Sequence, residues 1–150
     1  MKIRAAFALT AATFGFGLAL AGCASIPDAH PLSGSVWMLT RIDTSGSTTT
    51  LDPALQSRHR LAFDEGGAAQ VRLDCNRGSS TWTAGQPRSG AGAISFGPIA
   101  STKMLCPEPS FGDDMARGLA AAERYIISME ARQLVIETPE LRLTFAPADW

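Results

Sequence analysis

Between Val36 and Phe145 the apolar residues fall into short runs that favour alternate positions, and one stretch alone switches to helical spacing. A period of two places successive side chains on opposite faces of the backbone, so each run predicts a half-buried strand. The first is 36–42, followed by a Ser/Thr/Gly-rich surface loop over 44–50. Runs at 60–63 and 69–73 flank Asp64-Glu65-Gly66-Gly67, a hairpin signal. Two more, 80–84 and 93–96, are separated by a Gly/Pro/Ser-rich connection. Near the end Tyr125, Ile127 and Met129 alternate, then Leu134 and Ile136, then Leu141, Leu143 and Phe145, with turns at 130–132 and 138–140. The exception lies between these groups. Phe111, Met115, Leu119 and Ala122 share one helical face, Ser110 stands three residues before Asp113 as in a capping box, and Asp113 and Asp114 complement the helix dipole. Many antiparallel strands and one helix predict an α+β fold, a curved, mainly antiparallel and barrel-like sheet packed with that helix.

The first 22 residues follow different rules. Lys2 and Arg4 precede an apolar run over 5–20, too short for the ~20 residues of a spanning helix, which is the profile of a signal peptide. The run ends in Leu20-Ala21-Gly22-Cys23, which resembles the lipobox of bacterial lipoproteins. That resemblance implies cleavage before Cys23, lipidation of its thiol, and attachment to a membrane through the N-terminal lipid; at ~0.8 kcal/mol per buried methylene, two or three acyl chains hold firmly. Ala24 after the cysteine resembles the sorting pattern for the outer membrane, so the expected address is the cell envelope, at the periplasmic face of that membrane. The expected organisation is a signal peptide over 1–22, a lipidated cysteine and tether over 23–33, and one domain over 34–150. Cleavage would leave 128 of the 150 residues, enough for one domain. It would also take the basic residues from 13 to 11 against 14 acidic ones, a scattered and mildly acidic balance that argues against nucleic acid as a partner.

With Cys23 assigned to lipid, Cys75 and Cys106 form an even pair in an oxidising compartment, and a disulfide between them is the default, contributing roughly 3–4 kcal/mol in the chain-entropy model. A nucleophilic Cys75 would need a base, and outside the tether only His59 offers one. A zinc site would need more ligands than His30 and His59 supply. Ser101 and Lys103, spaced Ser-x-Lys, and His59 are the weak elements of a hydrolase reading, and no cofactor motif is present. Asn76 and Gly78 read as turn residues. Arg77 is either a ligand contact or a solvated charge. Trp37 and Trp82 are large enough to build the core or to line a pocket for an apolar ligand or a segment of an envelope protein, and with Arg77 they are the candidate binding residues.

Several landmarks then combine: Gly34 with Trp37 and Leu39, the Cys75-Asn76-Arg77 element, Thr102-Lys103-Met104-Leu105-Cys106-Pro107, a helix, and a closing Leu141-Arg142-Leu143-Thr144-Phe145. Together they resemble the META/HslJ-like domain family of bacterial envelope proteins. Asp74 stands where that family usually has glycine, and Trp82 where a tyrosine is frequent. The resemblance implies a small curved or barrel-like sheet with a helix against it, often on a lipoprotein linked to stress tolerance, motility or secretion, with no shared catalytic reaction. Intact mass of protein extracted from membranes, with and without reduction before alkylation, checks this reading. We expect an acyl-sized addition at Cys23 and two alkylations that appear only after reduction.

Overall fold

A computed structural model describes residues 29–148. Among them are ten strands and two helices: β1 Val36–Thr44, β2 Thr48–Thr50, α1 Pro53–Arg58, β3 His59–Phe63, β4 Ala68–Leu73, β5 Asn76–Ala84, β6 Ala91–Phe96, β7 Ala100–Ser101, α2 Gly112–Ala120, β8 Arg124–Ser128, β9 Gln133–Glu137 and β10 Leu141–Pro147. All pairings are antiparallel, and they run β1-β3-β4-β5-β6-β8-β9-β10. β10 then pairs back on β1, from Trp37 opposite Pro147 to Thr44 opposite Leu141, closing an eight-stranded barrel. The α+β, barrel-like expectation is met. β2 and β7 are short additions, β2 on β1 and β7 on β5.

The alternation read from the sequence is what fills this barrel. Leu61 and Phe63, Ala69, Val71 and Leu73, Leu141, Leu143 and Phe145 all point inward and are buried. β1 departs from strict alternation because an irregularity between Leu39 and Arg41 shifts its register against β10. An extra residue there turns Ile42 inward three positions after Leu39, so both are buried.

Helix α2 lies across one end of the barrel, touching β4, β6, β9 and β10, and buries Met115 and Leu119. Gly112 and Gly118 permit the approach: a Cβ on Gly112 would sit 2.7 Å from the Leu73 carbonyl oxygen, and one on Gly118 2.7 Å from Leu143 Cδ1. The acidic first turn is as expected, but the capping box is not formed. The N-cap is Phe111, without a side-chain cap bond, and the Ser110 amide donates to Glu108 Oε2 at 3.2 Å. Helix α1 was not anticipated. Asp52 caps it, accepting from the Leu55 amide at 2.9 Å, and Pro53 starts it with its φ already set. The loop expected over 44–50 is partly ordered as β2.

The tether also ends earlier than expected. Leu32 is 0% exposed, the Gly34 amide donates to the Phe63 carbonyl, and His30 accepts from the Leu32 amide at Nδ1. Residues from His30 onward therefore belong to the domain, because an apolar side chain four residues ahead of β1 covers the base of the core.

His59 joins the two helices. It is fully buried, its Nδ1–H donates to the Leu55 carbonyl at 2.7 Å, and its Nε2 accepts from the Phe111 amide at 3.2 Å. Burial pushes its pKa below 6.5, outweighing the Leu55 bond. Above pH 6.5 both folded and unfolded chains carry a neutral ring. Below it the unfolded chain takes up the proton first, so the contribution of His59 is lost as pH falls from 6.5 through the lowered folded value. Urea midpoints should therefore drop between about pH 7 and about pH 5.5, and His59→Asn, less stable at neutral pH, should lose that part of the slope.

Candidate interaction site

The strand alternation carries β4 to one end of the barrel, where it must reverse into β5 through Asp74 and Cys75. Asp74 sits at φ 63°, the left-handed region that glycine occupies without strain. Its carboxylate compensates. The side chain is buried, Oδ1 accepts from Arg58 Nη1 at 2.6 Å, and the Asp74 amide donates to the Arg58 carbonyl at 2.9 Å. The turn is thus tied to the last residue of α1, whose half-buried guanidinium is the cation that the buried Asp74 carboxylate meets.

Cys75 is joined by a disulfide to Cys106, 31 residues later. Asn76, the first residue of β5, clamps the segment leading to that cysteine. Its Oδ1 accepts from the Met104 amide at 2.7 Å and from the Thr102 hydroxyl at 2.9 Å, and its Nδ2 donates to the Met104 carbonyl at 3.0 Å. The side-chain amide therefore pairs with both backbone groups of Met104, as a residue on a neighbouring strand would. Arg77 continues the pairing through its backbone, donating to Thr102 Oγ1 at 3.1 Å and accepting from the Thr102 amide at 3.0 Å.

These contacts correct two readings. Asn76 bonds backbone 28 residues away, not its own turn. Gly78 lies inside β5, where a Cβ would meet the Ala100 carbonyl oxygen at 2.6 Å, so it is there for the close approach of β7. The residue that needs the left-handed turn conformation is Asp74.

Between this stapled segment and the start of α2 lies an open cleft of about 370 Å³, with Leu73, Asn76, Lys103, Glu108 and Asp113 among its walls. Along its rim Met104 is 59% and Leu105 100% exposed, an apolar pair held from behind. The sequence marked these two only as family landmarks; the signal available was an apolar pair placed immediately before a bridging cysteine.

The other candidates are dispersed. Trp37 and Trp82 are core residues. The Trp37 indole N–H donates to Ser35 Oγ at 2.7 Å, that of Trp82 to the Asp64 carbonyl at 3.2 Å, and Trp82 stacks edge-on to Phe63 at 4.9 Å. Arg77 is exposed and stands opposite Arg72 on β4. Ser101 is half-buried on β7, Lys103 is exposed, and both ring nitrogens of His59 are engaged elsewhere. Among the described residues no hydrogen bond joins Ser101 to Lys103 or His59, and no cluster of three or more His, Cys, Asp or Glu is placed to hold a metal. Cys23 lies outside the described residues.

A closed antiparallel barrel, plugged by one helix and carrying a stapled loop at the plugged end, defines a class of small one-domain proteins. The META domain family model matches residues 30–150, and the chain belongs to that family. No curated protein matches it. Its fold is shared with a protein from Burkholderia xenovorans solved by NMR, 22% identical with a TM-score of 0.64, over 79% of this chain and 85% of that one. It is also shared with a DUF4847-family protein from Bacteroides vulgatus, 12% identical with a TM-score of 0.50, over 77% and 94%. A further NMR structure is 22% identical with a TM-score of 0.51, over 78% and 92%.

Asn76→Ala should speed amide exchange at Met104 and lower stability by about 1–2 kcal/mol in urea unfolding. Asn76→Asp, which keeps an acceptor but loses the donor, should retain protection of the Met104 amide while still losing stability.

Proposed function

We propose that this META-domain protein is a non-catalytic lipoprotein of the cell envelope that acts as a binding or accessory factor in stress tolerance or secretion, recognising an envelope protein through the loop 102–106. One observation carries the reading: Met104 and Leu105 are held out to solvent by a covalent bond and a side-chain clamp immediately behind them. Exposed apolar side chains cost solubility unless something covers them. Holding them in a single geometry lowers the ordering penalty of binding.

The hydrolase alternative has less support. His59 is occupied in neutral form between two backbone groups, so it is not available to take a proton from Ser101. An anchor at Cys23 would place the domain at the membrane surface, where envelope partners are concentrated.

A photo-reactive residue at Leu105 in the mature protein, expressed in cells, tests this. A discrete crosslinked envelope protein is expected, lost when Met104→Asp accompanies the probe and unaffected by Ser101→Ala. No crosslink beyond that of a probe at Arg77, or ester or peptide hydrolysis abolished by Ser101→Ala, would overturn the proposal.

A further inference from the structure

We infer that the end of the barrel carrying the β8–β9 turn rests on the lipid surface, with Met129 reaching the boundary between headgroups and acyl chains. The inference rests on the lipid-anchor reading above and deepens it by assigning which face of the domain meets the membrane.

The topology decides which end is near. In a barrel whose strands are all antiparallel neighbours, successive connections alternate between the two ends. The chain enters β1 at the end that also holds the β3–β4, β5–β6 and β8–β9 turns and the exit from β10. The β4–β5 turn, the loop 102–111 and α2 lie at the other end.

His30 fixes the entry point. Its Nε2 lies 3.1 Å from the Gly85 carbonyl oxygen and 3.1 Å from Tyr125 Oη, and Tyr125 Oη itself donates to the Gly85 carbonyl at 2.8 Å. The span between Cys23 and the domain is therefore counted to Ala29. Six peptide steps separate Cys23 from Ala29, and at about 3.5 Å each they reach no more than roughly 20 Å. A nine-residue strand at about 3.3 Å per residue, tilted as in a barrel, separates the two ends by about the same distance. To bring the far end to the lipid, the tether would have to run fully extended along the whole barrel.

At the near end the apolar exposure is local. Gly85 begins the β5–β6 connection, whose Gly90 carbonyl accepts from the Ile127 amide at 2.7 Å, so His30, this connection and the β8–β9 turn are neighbours along one rim. On that rim Met129 is 77% exposed, and Arg88 is exposed on the adjoining connection. An unbranched thioether at a turn tip suits shallow insertion, and Arg88 on the adjoining connection suits lipid phosphate, whereas the exposed Glu130 that follows Met129 must stay among the headgroups. Asp64 and Glu65 are exposed on the hairpin at the same end, so the domain tilts with the β8–β9 turn lowest and the acidic hairpin raised away from anionic headgroups.

The test uses the acylated protein in vesicles of phosphatidylethanolamine and phosphatidylglycerol. Single cysteines, Met129→Cys or Leu105→Cys, carry an environment-sensitive fluorophore; the native cysteines are occupied by acyl chain and disulfide. We expect a blue shift, quenching by a lipid-borne quencher and protection from iodide for the probe at 129, and none of these at 105. Equal iodide access at both positions, or protection at 105, would overturn the orientation while leaving the anchor standing. An intact mass of the same sample without acyl chains would overturn the anchor and the orientation with it.

Discussion

The return of β10 onto β1 is the constraint on which everything else in this molecule rests. An open antiparallel sheet of this size would leave two edges of unpaired backbone groups, and closure removes both. Closure also creates an interior that must be filled, which is why most inward positions from Trp37 to Phe145 are apolar, with His59 and Ser80 the polar exceptions on β3 and β5, and why β1 accepts an irregularity to turn Ile42 inward. A barrel has open mouths, and one of them is stopped by α2, whose glycines let it settle against Leu73 and Leu143. His59 then locks that plug to α1 through two backbone bonds, so the cap and the wall of the barrel share one buried joint.

That architecture separates the packed core from the loop at its mouth. The core residues, including both buried tryptophans, are spoken for by packing and by their indole hydrogen bonds. The loop at the plugged mouth stands outside that packing. It is fastened at its ends by Cys106 and by the Thr102–Arg77 backbone pair, and at its middle by Asn76. Such a loop is rigid without belonging to the sheet, a combination suited to presenting side chains outward.

The strands were legible in the sequence because a period of two survives even in runs of five residues, and the α+β barrel followed from their number and from the single helical stretch. What was not legible depended on distant partners or on short elements. Helix α1 is six residues long and too brief to show an apolar period, although Asp52-Pro53 marked its start. Ser110 and Asp113 had capping-box spacing, but the Phe111 amide found His59 instead, 52 residues away. Asn76 and Gly78 looked like turn residues because turns favour those types; their actual roles, a clamp on Met104 and room for β7, are contacts across the barrel that no local pattern encodes. Asp74 was visible as a departure from family usage, and only its burial against Arg58 explains how an aspartate holds that backbone conformation. The stapled cysteine pair was foreseeable from cysteine arithmetic. The apolar tip beside it was not, since exposure is a property of the folded surface.

The disulfide has a mechanical side. A pull on Met104 and Leu105 is transmitted through Cys106 to Cys75, at the end of β4, and through the Asn76 amide to the first residue of β5. Both strands extend from the pulled loop toward the end where the chain enters, so they are loaded together along their axes and the shear falls on the ladders that join them to β3 and β6. A force applied in that direction shears the sheet instead of peeling it rung by rung. Between these two ends the barrel therefore meets tension along its strands, the direction in which many hydrogen bonds must yield together.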